Sequence, residues 1–437
     1  MAEQSEALEL LTGATAGEIL GAAIEAAGGE LIEWRSTEVS HHGETATVAY
    51  RAKVSGPGGV FDEVLGATAG GLLPDGVTVV GAGPGALAGG RPAGPGALAG
   101  GGPAGPGAPA EVGVWSAAND PRLPGLRVAL DPVAVSSLFA RCGLGDHPVS
   151  VKLRAYRPLR RAVVEAVGPL GRLFLKVVPT DQGQALHDRH RLLTGAGVPA
   201  PRSLGWTVDG LVVLEALGGR ALRSALRSGP VGTDPAELTR MLDRLPTALL
   251  EAPRRTSWLE RTSYYARSVG HVVPELASWS TGLSAAIVAE GIIGPTVPVH
   301  GDFYEAQVHV DRSGAIVGLL DVDTAGPGDR LDDLACLVGH LSVLAQVLPP
   351  HANAIDGLAE HCLSTFDRQV DPRQLRLRIA SVVLSLATGP HRVQDAGWQQ
   401  ATRERVALAE RWYDAAHRVH RSTALPLRER NHHESNA

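Results

Sequence analysis

The 437-residue chain has three cysteines, Cys142, Cys336 and Cys362, and no Cys-x-x-Cys pair. Their scatter argues against a disulfide framework or a zinc site and fits a reducing cytoplasm. Lysine is scarce, the positive charge is mostly arginine, and the formal net charge is −6. That balance leaves no electrostatic footprint for nucleic acid, so none is expected as a partner. No run of about eighteen apolar residues occurs, so no membrane span is expected. The N-terminus, Met1-Ala2-Glu3-Gln4-Ser5, has neither a basic region nor an apolar one, so no signal peptide is read and the expected location is cytoplasmic. The sequence carries no signal for the oligomeric state.

Glycine and proline are abundant, at 53 and 30 residues, and much of this excess is local. From Gly83 an eleven-residue unit, Gly-Pro-Gly-Ala-Leu-Ala-Gly-Gly-Arg-Pro-Ala, repeats with Gly102 in place of Arg91 and is then cut short. Such a composition cannot bury enough apolar surface to offset its ordering entropy. Residues 82–110 are therefore expected to form a disordered loop. Around it, residues 17–27 read as a helix, and 31–39, 45–54, 77–80 and 112–115 as strands, with clean alternation in 45–54. Further on, 161–167 and 173–178 read as strands and 181–195 as a helix. From Thr233 the apolar spacing turns helical, with helices expected over 236–250, 257–269, 274–290, 331–348, 355–370, 372–388 and 399–420. The tail beyond about Leu425 is expected to fray.

Residues 300–335 carry the chemistry. His300-Gly301-Asp302 is followed by Gln307, five residues beyond Asp302. An apolar strand, 316–320, ends in Asp321, with Asp323, Gly328, Asp329 and Asp333 after it. A loop carboxylate is placed to accept a proton from an attacking hydroxyl. Gln307 offers a neutral oxygen to a metal and Asp321 a charged one. These are the parts that Mg²⁺-dependent phosphoryl transfer needs. Any one of these residues taken alone is an ordinary turn former or helix cap. The joint spacing is the signal.

This stretch resembles the aminoglycoside phosphotransferase family, relatives of the protein kinases. The resemblance implies Asp302 as catalytic base, and Gln307, Asp321 and Asp323 around Mg²⁺, with Gln307 where most members have Asn. Lys176, in the apolar run Leu173-Phe174-Leu175-Lys176-Val177, matches the strand lysine that contacts ATP phosphates. The alternative on its own residues is an edge-strand lysine pointing to water. The glutamate that would pair it is missing from the helix at 181–195, where Asp188 and His187 are the nearest polar groups. Glu215 and Leu217, in Leu214-Glu215-Ala216-Leu217-Gly218, match the hinge that binds adenine through its backbone.

The implied fold is α+β: a bilobal kinase-like fold with a small β-rich ATP lobe and a large helical lobe, preceded by a β-rich N-terminal cap. The expected boundaries are 1–134 for the cap, 135–217 for the nucleotide lobe, 218–425 for the helical lobe and 426–437 for the tail. Asp120-Pro121-Arg122, Tyr156-Arg157-Pro158 and Gly389-Pro390-His391-Arg392 look most like the actinobacterial glucosamine kinases, beside the capped maltokinases. The implied acceptor is a small amino sugar, held by Glu305 or Asp323 on its ammonium and by Trp398 and Trp412 as an aromatic wall. Maltose, an aminoglycoside, or a non-catalytic pseudokinase role are the alternatives.

Overall fold

The computed structural model describes residues 3–42, 44–82, 88–92 and 110–423. The expected α+β class is what the chain forms, in two compact units. The first comprises Met1–Leu217 and Gly389–Trp398, the second Gly218–Thr388 and Gln399–Ala437.

The first unit holds two sheets with separate cores. One is a six-stranded antiparallel sheet in the order Glu30–His42, Thr45–Gly56, Gly59–Ala69, Ala110–Ser116, Thr78–Ala82, Ala88–Pro92. Helices Glu3–Thr12 and Thr15–Ala26 lay Leu11, Ile19 and Leu20 against Val48, Tyr50 and Val112. The Tyr50 hydroxyl, deep in this core, donates to the Leu11 carbonyl at 2.5 Å. A phenol buried there without that bond would cost stability.

Two readings of this region need correction. Gly59–Ala69 is a strand that the sequence pattern does not announce. Its first half is exposed and its second half buried on both faces, so no alternation marks it. Pro57 and Gly58 close the tight turn before it, where Gly56 pairs with Gly59. The second correction is within the glycine-proline repeat. Ala88–Pro92 is an edge strand on Thr78–Ala82 and not disordered. Backbone pairing along an edge needs no buried side chain, and it tolerates proline at its end. The rest of the repeat, 83–87 and 93–109, lies outside the described residues, as does the tail from 424.

The second sheet runs Ser203–Trp206, Leu211–Glu215, Gly171–Val177, Arg161–Gly168, Ser150–Arg157, all antiparallel. Leu123, Leu126 and Phe139, the last from helix Pro132–Arg141, cover it with Val164 and Leu175. The segment Gly389–Trp398 belongs to this first unit, where Arg392 reaches Glu38 at 3.5 Å.

The second unit is mainly helical. Asp234 and Asp371 each precede a proline, accept the backbone N–H groups of the first turn, and so start helices Pro235–Asp243 and Pro372–Leu386. Ser257 and Glu260 form a capping box that starts Trp258–Val272. The helix expected over 236–250 stops at Asp243, and Thr247–Glu251 forms a separate 3-10 turn. Pro246 explains the break, since it has no N–H to donate and disfavours helical backbone before it. At the centre Arg378 is fully buried, paired with Asp329 and, at 3.4 Å, with Asp332. Among the described residues no single helix is long and apolar enough to cross a membrane.

Candidate active site

The site in the second unit begins where strand Thr296–Val299 ends in His300. The chain turns sharply at Gly301, whose φ is +84°. A Cβ there would lie 2.7 Å from the Thr324 carbonyl oxygen, so only glycine fits both the angle and the space. The loop is then clamped. The Asp333 carboxylate accepts the backbone N–H groups of His300 and Gly301, both at 2.7 Å. His300 Nε2 donates to the Leu320 carbonyl at 2.8 Å, and its Nδ1 accepts from the Asp302 N–H at 3.2 Å. One tautomer, with the proton on Nε2, satisfies both bonds. The Thr324 hydroxyl donates to the His300 carbonyl at 3.0 Å. Asp302 is thus held at a half-buried position by a backbone that has little freedom to move.

Gln307 and Asp321 are brought together, as the spacing implies. Gln307 precedes strand Val308–Val310, which pairs with Ile316–Leu319. The Leu320 N–H donates to the Gln307 carbonyl at 2.7 Å, which seats Asp321 beside Gln307. The Gln307 amide nitrogen donates to Asp321 Oδ2 at 3.3 Å. Asp321 holds a left-handed conformation, φ 52° and ψ 49°, uncommon outside glycine and found where a side chain must be aimed. Turning the amide over would present two oxygens, one neutral and one charged, to the same point. That donor set suits a hard divalent cation such as Mg²⁺. Asp323, two residues on, is half-buried in a 3-10 turn.

Glu305 and Trp412 do not survive the geometry as acceptor contacts, and Trp398 cannot act together with Trp412. Glu305 is fully buried and its Oε1 accepts from Arg223 Nε at 2.8 Å. Burial pushes its carboxyl up, Arg223 pulls it down, and the net direction is up. A carboxylate already paired inside the fold is not displayed to an ammonium ligand. Trp412 lines a cavity of about 490 Å³ with Ser342, Gln346, Asp356, Arg411 and Arg418. On helix Arg330–Val347, at about 100° per residue, Ser342 and Gln346 lie roughly 120–160° around from His340. His340 shares the Asp302 side, so the cavity faces away from the Asp302 loop. Trp398 contacts His391 in the first unit. Fourteen residues of helix separate the two tryptophans by about 21 Å, too far for one monosaccharide to touch both.

Sequence reasoning missed what surrounds Asp302. Asp302, Cys336 and His340 bring one ligand atom each within 4.8 Å of one another. The His340 ring stacks on Tyr304 at 4.1 Å. Cys336 and His340 are four residues apart on one helix, a spacing visible in the sequence. Nothing in the sequence says that Asp302 faces them.

In the first unit Lys176 is only 6% exposed and lies on the middle strand, opposite Val163 and Val212. The edge-strand reading is therefore wrong. Of the polar groups on helix Gly183–Gly195, Asp188 is exposed and His187 bonds Ser203 at 2.8 Å. Glu215 ends strand Leu211–Glu215, and its N–H already donates to the Arg202 carbonyl at 3.0 Å. That bond uses the N–H alone, so the Glu215 carbonyl and the Leu217 backbone stay the expected hinge groups.

No curated protein matches the chain. Among solved structures, the chain is similar to a macrolide 2′-phosphotransferase type I, with 17% identity over 62% of this chain and 95% of that one and a TM-score of 0.42. It is similar to an aminoglycoside phosphotransferase from Streptomyces rimosus solved with ADP and streptomycin, with 20% identity, 58% and 99% coverage and a TM-score of 0.39. It is also similar to an ethanolamine kinase from Plasmodium vivax, with 12% identity, 60% and 82% coverage and a TM-score of 0.36. The Asp302 loop, the Gln307–Asp321 pair and the Lys176 strand all fall within residues 159–361, the stretch that matches the phosphotransferase enzyme family.

Proposed function

We propose that the chain is an ATP-dependent kinase that phosphorylates a sugar hydroxyl, with glucosamine as the acceptor and the 6-hydroxyl as the attacking group. The family match supports a kinase-type enzyme. The observation that carries the reading is the convergence of Gln307 on Asp321 at 3.3 Å beside a catalytic loop clamped by Asp333. Mg²⁺, when bound, would neutralise charge on the transferring phosphoryl group. Gln307 and Asp321 are the residues to hold it, with Asp323 beside them. Asp302 orients the acceptor hydroxyl and takes its proton. Lys176 offers its ammonium to the nucleotide phosphates. Most of the catalysis is then placement and electrostatics.

The amino-sugar assignment rests on resemblance and on Asp323, the half-buried carboxylate next to Asp321 that Glu305 leaves as the charge for an ammonium. Losing a charge-assisted hydrogen bond costs on the order of 1.5–3 kcal/mol, so glucosamine should exceed glucose and N-acetylglucosamine by roughly ten- to a hundredfold. The test is ATP consumption against glucosamine, glucose, maltose and kanamycin in parallel. Faster turnover of maltose or kanamycin would overturn the acceptor and leave the kinase standing. Absence of turnover on any of them, with nucleotide bound, would favour a pseudokinase.

A further inference from the structure

We propose that Asp302, Cys336 and His340 form a binding site for a borderline transition-metal ion, Zn²⁺ in the first place, which takes the carboxylate of the loop as one of its ligands. The three residues supply oxygen, sulfur and nitrogen, with all ligand atoms within 4.8 Å of one another. A tetrahedral zinc with bonds of about 2.0–2.3 Å holds such atoms about 3.4–3.6 Å apart. Side-chain adjustments of about an ångström or less per ligand close that gap. The scatter of cysteines along the sequence argues against a zinc site, yet folding supplies one. Two ligands come from one turn of helix Arg330–Val347 and the third from a loop more than thirty residues earlier.

The chemistry selects the metal. A thiol and an imidazole disfavour Mg²⁺, which prefers oxygen, and suit zinc, cobalt or copper. This set is distinct from the all-oxygen pair of Gln307 and Asp321. Cys336 is fully buried, while Asp302 and His340 are half-buried, so an ion reaches the sulfur from the side of the other two. Binding replaces the thiol proton: Cys336–SH and Zn²⁺ give Cys336–S⁻–Zn²⁺ and one released proton. The thiolate and the Asp302 carboxylate then cancel the ion's two charges, which favours a site that is partly out of water. Stacking on Tyr304 at 4.1 Å fixes the plane of the His340 ring and reduces the freedom lost on binding. A water completes the fourth position.

Occupancy has a consequence that rests on Asp302 as the base. A carboxylate that ligates zinc cannot accept the acceptor's proton, so zinc would switch phosphoryl transfer off while Mg²⁺ stays at its own place. The binding itself does not depend on that reading.

The experiment titrates the full chain with Co²⁺ alone and then displaces it with Zn²⁺. One equivalent of Co²⁺ should produce the thiolate-to-cobalt charge-transfer absorption and the visible bands of tetrahedral cobalt. Cys336→Ala should abolish the charge-transfer absorption. His340→Gln should weaken binding by at least about tenfold, since even outer-shell changes cost that much. Circular dichroism and melting of each variant verify that it is folded, and if Cys336→Ala is not, His340→Gln carries the comparison. In a separate phosphotransfer assay, Zn²⁺ should inhibit the wild type at concentrations at which Cys336→Ala is unaffected. A wild-type cobalt spectrum without the charge-transfer band, or with one that persists in Cys336→Ala, overturns the site. A normal cobalt spectrum with no inhibition by zinc keeps the site and overturns the role of Asp302.

Discussion

Asp302 follows the clamped His300–Gly301 turn, its own N–H donates to His300 Nδ1, and its side chain lies next to His340 and Cys336. Its amide analogue keeps the size and loses the proton acceptor. Asp302→Asn should lower turnover by about 10²- to 10⁴-fold, the usual loss for a positioned general base. Nucleotide affinity, read by calorimetric titration, should change little. Wild-type turnover in this variant would remove Asp302 from the chemistry. Glu305 shows the opposite case. It sits three residues from Asp302 and looks like a ligand group in the sequence, but Arg223 claims it inside the fold. Proximity along the chain places a carboxylate near a site without saying which way it points.

At the scale of elements, the site is held by helix Arg330–Val347. Its first turn carries Asp333, whose two oxygens hold the loop, and Asp332, which packs on Arg378. Asp333→Asn keeps one acceptor and replaces the other with a donor facing a backbone N–H. Hydrogen bonds to a charged group are worth about 1.5–3 kcal/mol, so loss of a comparable amount of stability is expected. Turnover should fall with KM nearly unchanged, because the loop and not the acceptor pocket is loosened. A variant with wild-type melting and turnover would show the clamp to be dispensable.

Asp332 behaves differently. Burial pushes its carboxyl up from 3.8 to about 6, against the opposing pull of Arg378 and Ser257. Between those two values the folded chain binds the proton more tightly than the unfolded one. This group therefore contributes stability that is fully present below about pH 3.8 and lost as pH rises through about 6. Compared with Asp332→Asn, the wild type should lose on the order of 2 kcal/mol between pH 4.5 and 7.5. Chemical denaturation of both proteins at the two pH values measures it. A difference that grows in the other direction would contradict the buried placement.

For the whole molecule, the first unit contains two sheets with distinct cores and the second unit is a separate compact body. Chains with several cores seldom unfold in one step. Scanning calorimetry should give a calorimetric enthalpy larger than the van't Hoff enthalpy, with a nucleotide raising only part of the transition. A single transition with equal enthalpies would mean that the cores unfold cooperatively.

The sequence by itself determined the local features: the alternating strand at Thr45–Gly56, the lysine in an apolar strand, and the spacing from His300 to Asp333. Each depends on residues close together in the chain, where periodicity, capping and turn chemistry act. It missed Gly59–Ala69, whose burial changes from one end to the other and so leaves no period. Only the tertiary structure decided that Lys176 is central, that Glu305 faces Arg223, that the Trp412 cavity faces away from Asp302, and that Cys336 and His340 meet that carboxylate. These are facts of burial and direction. They arise when elements far apart in the chain pack, and no spacing within one element encodes which neighbour it will face.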